Sequence, residues 1–151
     1  MTVMEPTPLE EKPARSMAAA VAAARAALEQ GEGRGAIWQW DLASGRVEWD
    51  EGLHALFGYT ELITDAAWRA QRIHPKDRRR VDLSLQRAAI VRHGAVWADR
   101  YRFCRADGSY STVDERAYVV SDDDGPRGVV GAIAPRSPVR NRTPARTEGV
   151  S

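Results

Sequence analysis

Hydrophobic spacing along this chain switches between a helical period and an alternating one, and the switches divide it into elements. Met17, Val21, Ala24 and Leu28 stand four, three and four residues apart, a narrow heptad-like stripe in the Ala-rich run 14–30, which predicts a helix. Gly31, Gly33 and Gly35 end it. Trp38, Trp40 and Leu42 then alternate with polar positions, Ser44-Gly45 marks a turn, and Val47 and Trp49 resume the alternation, so 35–49 reads as a hairpin with an aromatic face. Asp50 is placed to cap a short helix over 51–57 that Gly58 stops. Thr64 or Asp65 caps a second short helix carrying Ala67 and Trp68. Pro75 opens a longer helix, with Asp77 near its positive end, an inner stripe of Val81, Leu85, Ala88 and Ala89, and a stop at His93-Gly94. From Val96 the period returns to two: a strand carrying Trp97, Tyr101 and Phe103, a turn at Asp107-Gly108, a partner strand over 110–120, and a last apolar strand over 128–134. Two strands, several short helices and three strands predict an α+β domain with an antiparallel sheet, the last strand lying between others.

Composition narrows the function classes. The 151 residues are 43% hydrophobic and 28% charged, enough for one domain with tails. Residues 1–13 hold three prolines and residues 135–151 carry a net charge of +3 with few large apolar side chains, so both are expected to be disordered. No apolar run reaches the length of a membrane span, and the N-terminus lacks a secretory pattern, which points to the cytoplasm. Cys104 is the only cysteine, leaving no internal disulfide and no multi-cysteine zinc site. The chain's net charge is +1, and residues 36–134 hold 14 basic and 15 acidic groups, so nucleic acid is not an expected partner.

Five motifs in order resemble the PAS family, in particular the subgroup of bacterial sensor kinases and cyclic-di-nucleotide enzymes. They are Trp38-Gln39-Trp40-Asp41 in the first strand, Trp49 closing the second, Phe57-Gly58-Tyr59 ending the next helix, His74-Pro75-Lys76-Asp77-Arg78, and Arg100-Tyr101-Arg102 leading to Asp107-Gly108. The resemblance covers about 34–134. It implies a five-stranded antiparallel sheet with short helices on one face, and a helix within 14–33 that caps the sheet or mediates dimers. It implies sensing and protein–protein signalling rather than catalysis. Two departures stand out: Ser111-Thr112-Val113 occupies a strand where the family usually places an aromatic, and Pro135-Arg136-Ser137 replaces the usual Asp-x-Thr exit. A PAS domain without a covalent effector is the expectation, its output passing to a separate signalling protein. The alternative is the sensor fragment of a larger histidine kinase or cyclic-di-nucleotide enzyme with a bound small molecule.

Candidate sites follow. Trp38, Trp40, Leu53, Leu56, Phe57, Ile73, Tyr101 and Phe103 either close a plain core or line a pocket for a small organic ligand. Met17, Val21, Ala24 and Leu28 either pack on their own domain or form a homodimer seam. Haem is not expected, because His74 sits in a turn motif and His93 at a helix end; His54 is either exposed or cavity-facing. Flavin photochemistry is not expected, because no Asn-Cys-Arg motif surrounds Cys104. No catalytic constellation and no metal-ligand spacing occurs.

Overall fold

A computed structural model describes residues 16–31, 33–90 and 96–136. The elements are α1 (Met17–Gln30), β1 (Ala36–Asp41), β2 (Arg46–Trp49), α2 (Gly52–Phe57), β3 (Ile63–Asp65), α3 (Ala66–Arg72), α4 (Pro75–Ile90), β4 (Val96–Cys104), β5 (Tyr110–Asp122) and β6 (Gly125–Pro135). The sequence expectations for 1–13, for the tail beyond 136 and for the helix stop at His93-Gly94 lie outside the described residues.

The sheet has six antiparallel strands in the order β3-β2-β1-β6-β5-β4, where five were expected. The addition is β3, three residues paired with β2 through Arg46–Asp65, Val47–Thr64 and Glu48–Ile63. Three residues are too few to display a period, so the segment read only as an approach to the next helix. Its last residue, Asp65, does cap α3, its carboxylate accepting from the Trp68 N–H at 2.8 Å. The last strand takes the central place assigned to it, between β1 and β5.

Local chemistry sets the other boundaries. Ser16 caps α1 by accepting from Ala19 N–H at 3.0 Å. Asp50 ties β2 to β1, its Oδ1 accepting from the Ile37 N–H at 3.0 Å and the Gly52 N–H at 2.9 Å. Gly58 ends α2 with φ at +86°, a conformation that an L side chain resists.

The strands divide the molecule into two layers of packing. On the inner face, α2, α3 and α4 cover Trp38, Val47, Trp49, Leu53, Phe57, Ile73, Phe103, Val113, Val129 and Ile133, all buried. Burying one tryptophan such as Trp38, fully shielded here, contributes roughly 5 kcal/mol by area. On the outer face, α1 lies across β6, β5 and β1, and Ala20 and Ala24 meet Ile37, Tyr118, Val120, Val130 and Ala132. The small side chains of α1 let it sit close to the sheet, and Met17, Val21 and Leu28 flank the contact, half-buried.

Candidate functional site

The inner face is filled on one side and open on the other. Phe57 and Phe103 meet edge to face at 5.2 Å, Trp49 lies 6.1 Å from Phe103, and Tyr59 meets Trp68 at 4.9 Å. Leu53, Ile73 and Tyr101 complete this packed half, with Leu56 against its edge. Toward β1 and β2 the filling stops. A cavity of about 310 Å3 lies between Trp38, Trp40 and Val47 of the sheet, Ala66, Ala67, Arg69 and Ala70 of α3, and Asp82, Leu85 and Gln86 of α4. Ala66 and Ala70 are half-buried and Ala67 is exposed, and each offers the space only a methyl group. Of the eight residues proposed for a pocket, Trp38 and Trp40 line this space; Leu53, Leu56, Phe57, Ile73, Tyr101 and Phe103 belong to the packed half.

Beside the cavity lies a polar cluster that sequence reasoning did not single out. The Glu115 side chain is fully buried and Arg69 almost so, and they pair at 2.6 Å. Glu115 also accepts from Trp38 Nε1 at 2.6 Å and from the Tyr101 hydroxyl at 2.8 Å. The Arg69 guanidinium stands 4.8 Å over the Trp38 ring, within cation–π range. Burial alone would lower the Arg69 pKa, but the Glu115 carboxylate and Tyr101 hold it above its ordinary value. Burial, followed by the Glu115 charge, pushes the Tyr101 hydroxyl well above the usual tyrosine range, so it stays a donor. Two donors at this place remain without an acceptor: Trp40 Nε1 and Arg69 Nε are both buried and unpartnered. Each such atom costs about 1–3 kcal/mol if left unsatisfied.

A signal for half of this cluster exists in the sequence. Ser111, Val113, Glu115 and Ala117 share the inward face of β5, so Glu115 is a charge at an inward position. Arg69 gives no comparable signal, because seven residues of α3 are too short to fix a buried stripe.

The motif residues outside the cavity hold elements together. Asp77, at the start of α4, accepts from Arg102 three times: from the backbone N–H at 3.0 Å, Nε at 2.9 Å and Nη2 at 2.9 Å. Those bonds, the Arg102 side chain's foremost, lower the Asp77 pKa to about 2. His74 accepts from the Lys76 N–H at 3.0 Å, as a turn residue does, and its ring meets that of Tyr110 at a tilt, centroids 4.7 Å apart. His54 is exposed, with Nδ1 3.1 Å from the Tyr59 carbonyl, and does not line the cavity. Among the described residues no group of three His, Cys, Asp or Glu side chains is placed to hold a metal, and no helix is long and apolar enough to cross a membrane.

The outer face carries a larger depression of about 630 Å3, at the C-terminal end of α1, lined by Leu28, Arg34, Arg100, Asp114, Arg116 and Arg136 among others. Several of its charges pair with each other: Arg100 with Asp114 at 2.8 Å, and Arg136 with Asp114 at 3.3 Å. Its greater size does not make it the better site, because the paired charges along it are open to water. Met17, Val21, Ala24 and Leu28, the expected seam residues, all contact the outer face of their own sheet.

The sequence profile of the PAS fold matches residues 46–133, more than half of the chain. The chain belongs to the PAS-fold family. Solved PAS structures share its architecture at low identity. The N-terminal domain of a diguanylate cyclase with a PAS/PAC sensor from Marinobacter aquaeolei matches with a TM-score of 0.59 and 20% identity, over 68% of this chain and 94% of that one. A sensory box histidine kinase/response regulator from Burkholderia thailandensis matches with a TM-score of 0.61 and 19% identity, over 77% and 86%. The PAS domain of a Colwellia psychrerythraea protein matches with a TM-score of 0.57 and 20% identity, over 68% and 86%. No curated protein matches the sequence. PAS domains are in general sensory modules found in histidine kinases and diguanylate cyclases, and the sheet and helices here have that fold, with β3 added at one edge.

Proposed function

We propose that this PAS domain is a ligand-modulated signalling module. A small organic molecule enters the inner cavity, and its occupancy changes how the outer face meets a second copy of the chain or a separate signalling protein. The observation that carries this reading is that the same strands serve both faces. Trp38 and Glu115 point to the cavity side, while Ile37 and Tyr118, on the same two strands, hold α1 on the other. A ligand that favours one placement of Trp38 and Glu115 biases β1 and β5, and with them α1. It can shift that equilibrium only by its differential affinity for the two placements.

The proposal keeps the cytoplasmic seat read from the sequence, and it assigns the chain no catalysis of its own. Native mass spectrometry of freshly purified protein tests the cavity. The expected result is a small non-covalent adduct that disappears in Ala70→Leu, whose longer side chain takes up space at a half-buried lining position. An adduct of unchanged mass and occupancy in Ala70→Leu would place any ligand elsewhere and overturn the reading. Light scattering of loaded and ligand-stripped protein then reads the output, expected as a change in self-association or in capture of a signalling partner.

A further inference from the structure

The outer depression of about 630 Å3 has the character of a docking surface rather than of an enclosed ligand site. Its wall is the C-terminal end of α1, at the half-buried Ala27 and Leu28. Its floor is the outer face of β4, β5 and β6, where Ala98 is exposed and Ala134 half-buried. Arg116 rises from this floor. Its cross-strand neighbours are Ala98 and Ala132, methyl groups that cannot reach its guanidinium.

The open charges of this basin are unbalanced. Asp99 is matched by Arg80 of α4 at 2.6 Å, and the fully buried Glu115 side chain is matched by Arg69 on the inner face. Arg34, Arg100, Arg116 and Arg136 then stand against Asp114 alone, an excess of three positive charges. Arg100 and Arg136 share Asp114, at 2.8 and 3.3 Å. Among the described residues no hydrogen bond or ion pair engages the side chain of Arg34, which is exposed, or of Arg116, which is half-buried. Such a surface favours an acidic occupant.

The chain itself carries one candidate and excludes another. Residues 137–151 leave the sheet at the basin's edge, but they hold Arg140, Arg142 and Arg146 against Glu148, so like charges oppose their return. Residues 1–13 hold Glu5, Glu10 and Glu11 against Lys12. Their reach is sufficient. The 14 residues of α1 rise about 21 Å from Ser16 to the basin. A chain folded back from Ser16 extends at most about 20 Å to Glu10 and about 37 Å to Glu5, so these carboxylates span that distance. Pro6 and Pro8 favour an extended backbone, and Leu9 between them and Glu10 offers an apolar side chain to the alanines.

We infer that the outer basin docks this chain's own residues 5–11, running back along α1, with Glu5, Glu10 and Glu11 on the arginines and Leu9 on the floor. The docked segment covers outer-face surface beside α1 and competes there with any partner. This goes beyond the cavity reading and holds with the cavity empty.

The test uses the full chain labelled with 15N at low salt, comparing wild type with Glu5→Gln/Glu10→Gln/Glu11→Gln. The amide signals of Ala98, Arg116 and Ala134 are expected to differ between the two. The Leu9 amide should relax as part of the folded domain in wild type and as a mobile chain in the variant. Each exposed ion pair contributes a factor of about two to three, so losing all three should lower the docked population about tenfold. Arg116→Gln, with the acidic segment intact, should lower it about threefold, read at Leu9. In 1 M sodium chloride, where the screening length is about 3 Å, wild type and the triple variant should become alike. Basin signals that superimpose in the two proteins at low salt, or a Leu9 amide equally mobile in both, overturn the inference. A difference that fades on dilution also overturns it, because the segment in the basin is then a second copy's.

Discussion

Replacing Glu115 by glutamine tests the buried cluster most sharply. The carboxylate accepts from three donors, Trp38 Nε1 at 2.6 Å, Arg69 Nη2 at 2.6 Å and the Tyr101 hydroxyl at 2.8 Å. A glutamine has one carbonyl oxygen, so whichever way its amide turns, at least one of these donors faces an NH2 group. More costly, the Arg69 charge remains buried with no counter-ion, and a guanidinium cannot shed its proton. Removing one partner of a buried pair costs about 3–5 kcal/mol. A domain of roughly 100 residues loses about 4 °C of Tm per kcal/mol, so Glu115→Gln should melt about 12–20 °C lower. Arg69→Met should cost less, because a buried carboxylate stranded without its partner can take up a proton. The double variant removes both charges and should be more stable than Glu115→Gln alone, with a coupling energy of about 2 kcal/mol. Urea unfolding followed by tryptophan fluorescence and far-UV circular dichroism gives all four stabilities. A Glu115→Gln loss under about 1 kcal/mol, or single losses that simply add in the double variant, would refute the reasoning.

Three further perturbations bear on the frame around the site. Asp77→Asn should remove on the order of 1 kcal/mol at neutral pH, a modest figure because the Arg102 side chain is 41% exposed and water screens the pair. With the Asp77 pKa at about 2 when folded and 3.8 ordinarily, that stability is present above about pH 4 and is lost as pH falls through 2. Acid titration of the wild type and Asp77→Asn should therefore converge at low pH, and parallel curves would contradict the assignment. Gly131→Ala should destabilise by about 1–3 kcal/mol, since the new Cβ would stand 2.3 Å from the Trp38 ring and push it off Glu115; chemical denaturation within 0.5 kcal/mol of wild type would show that the ring is free to move. A chain beginning at Arg34 should lower Tm and bind a hydrophobic dye, because Ile37, Tyr118, Val120 and Val130 lose the cover of α1, and unchanged melting would mean that α1 is not part of the fold.

Much of this architecture can be read from the residues. Alternation exposed β1, β2, β4 and β5, the Ser44-Gly45 and Asp107-Gly108 turns marked their ends, and the apolarity of β6 placed it inside the sheet. What escaped reading was short or long-range. β3 has three residues, too few for a period, and the seven residues of α3, though expected as a helix, were too few to show that Arg69 is its buried side chain. Arg69 and Glu115 are 46 positions apart, and only the folded sheet shows that one neutralises the other. The aromatic list could not be divided in advance between packing and lining, because Trp38 and Phe103 obey the same alternation. The division comes from the helices above them: the half-buried Ala66 and Ala70 of α3 leave room beside Trp38 and Trp40, while Leu53 and Phe57 of α2 fill the space beside Phe103.

The central claim is that cavity occupancy reaches α1 through the sheet. Hydrogen–deuterium exchange of the full chain, comparing wild type with the cavity-filled Ala70→Leu variant, tests it without requiring the ligand. The account predicts altered exchange in peptides covering α1 (Met17–Gln30) and β1 as well as in α3. A change confined to α3 and α4, with α1 exchanging as in wild type, would contradict it.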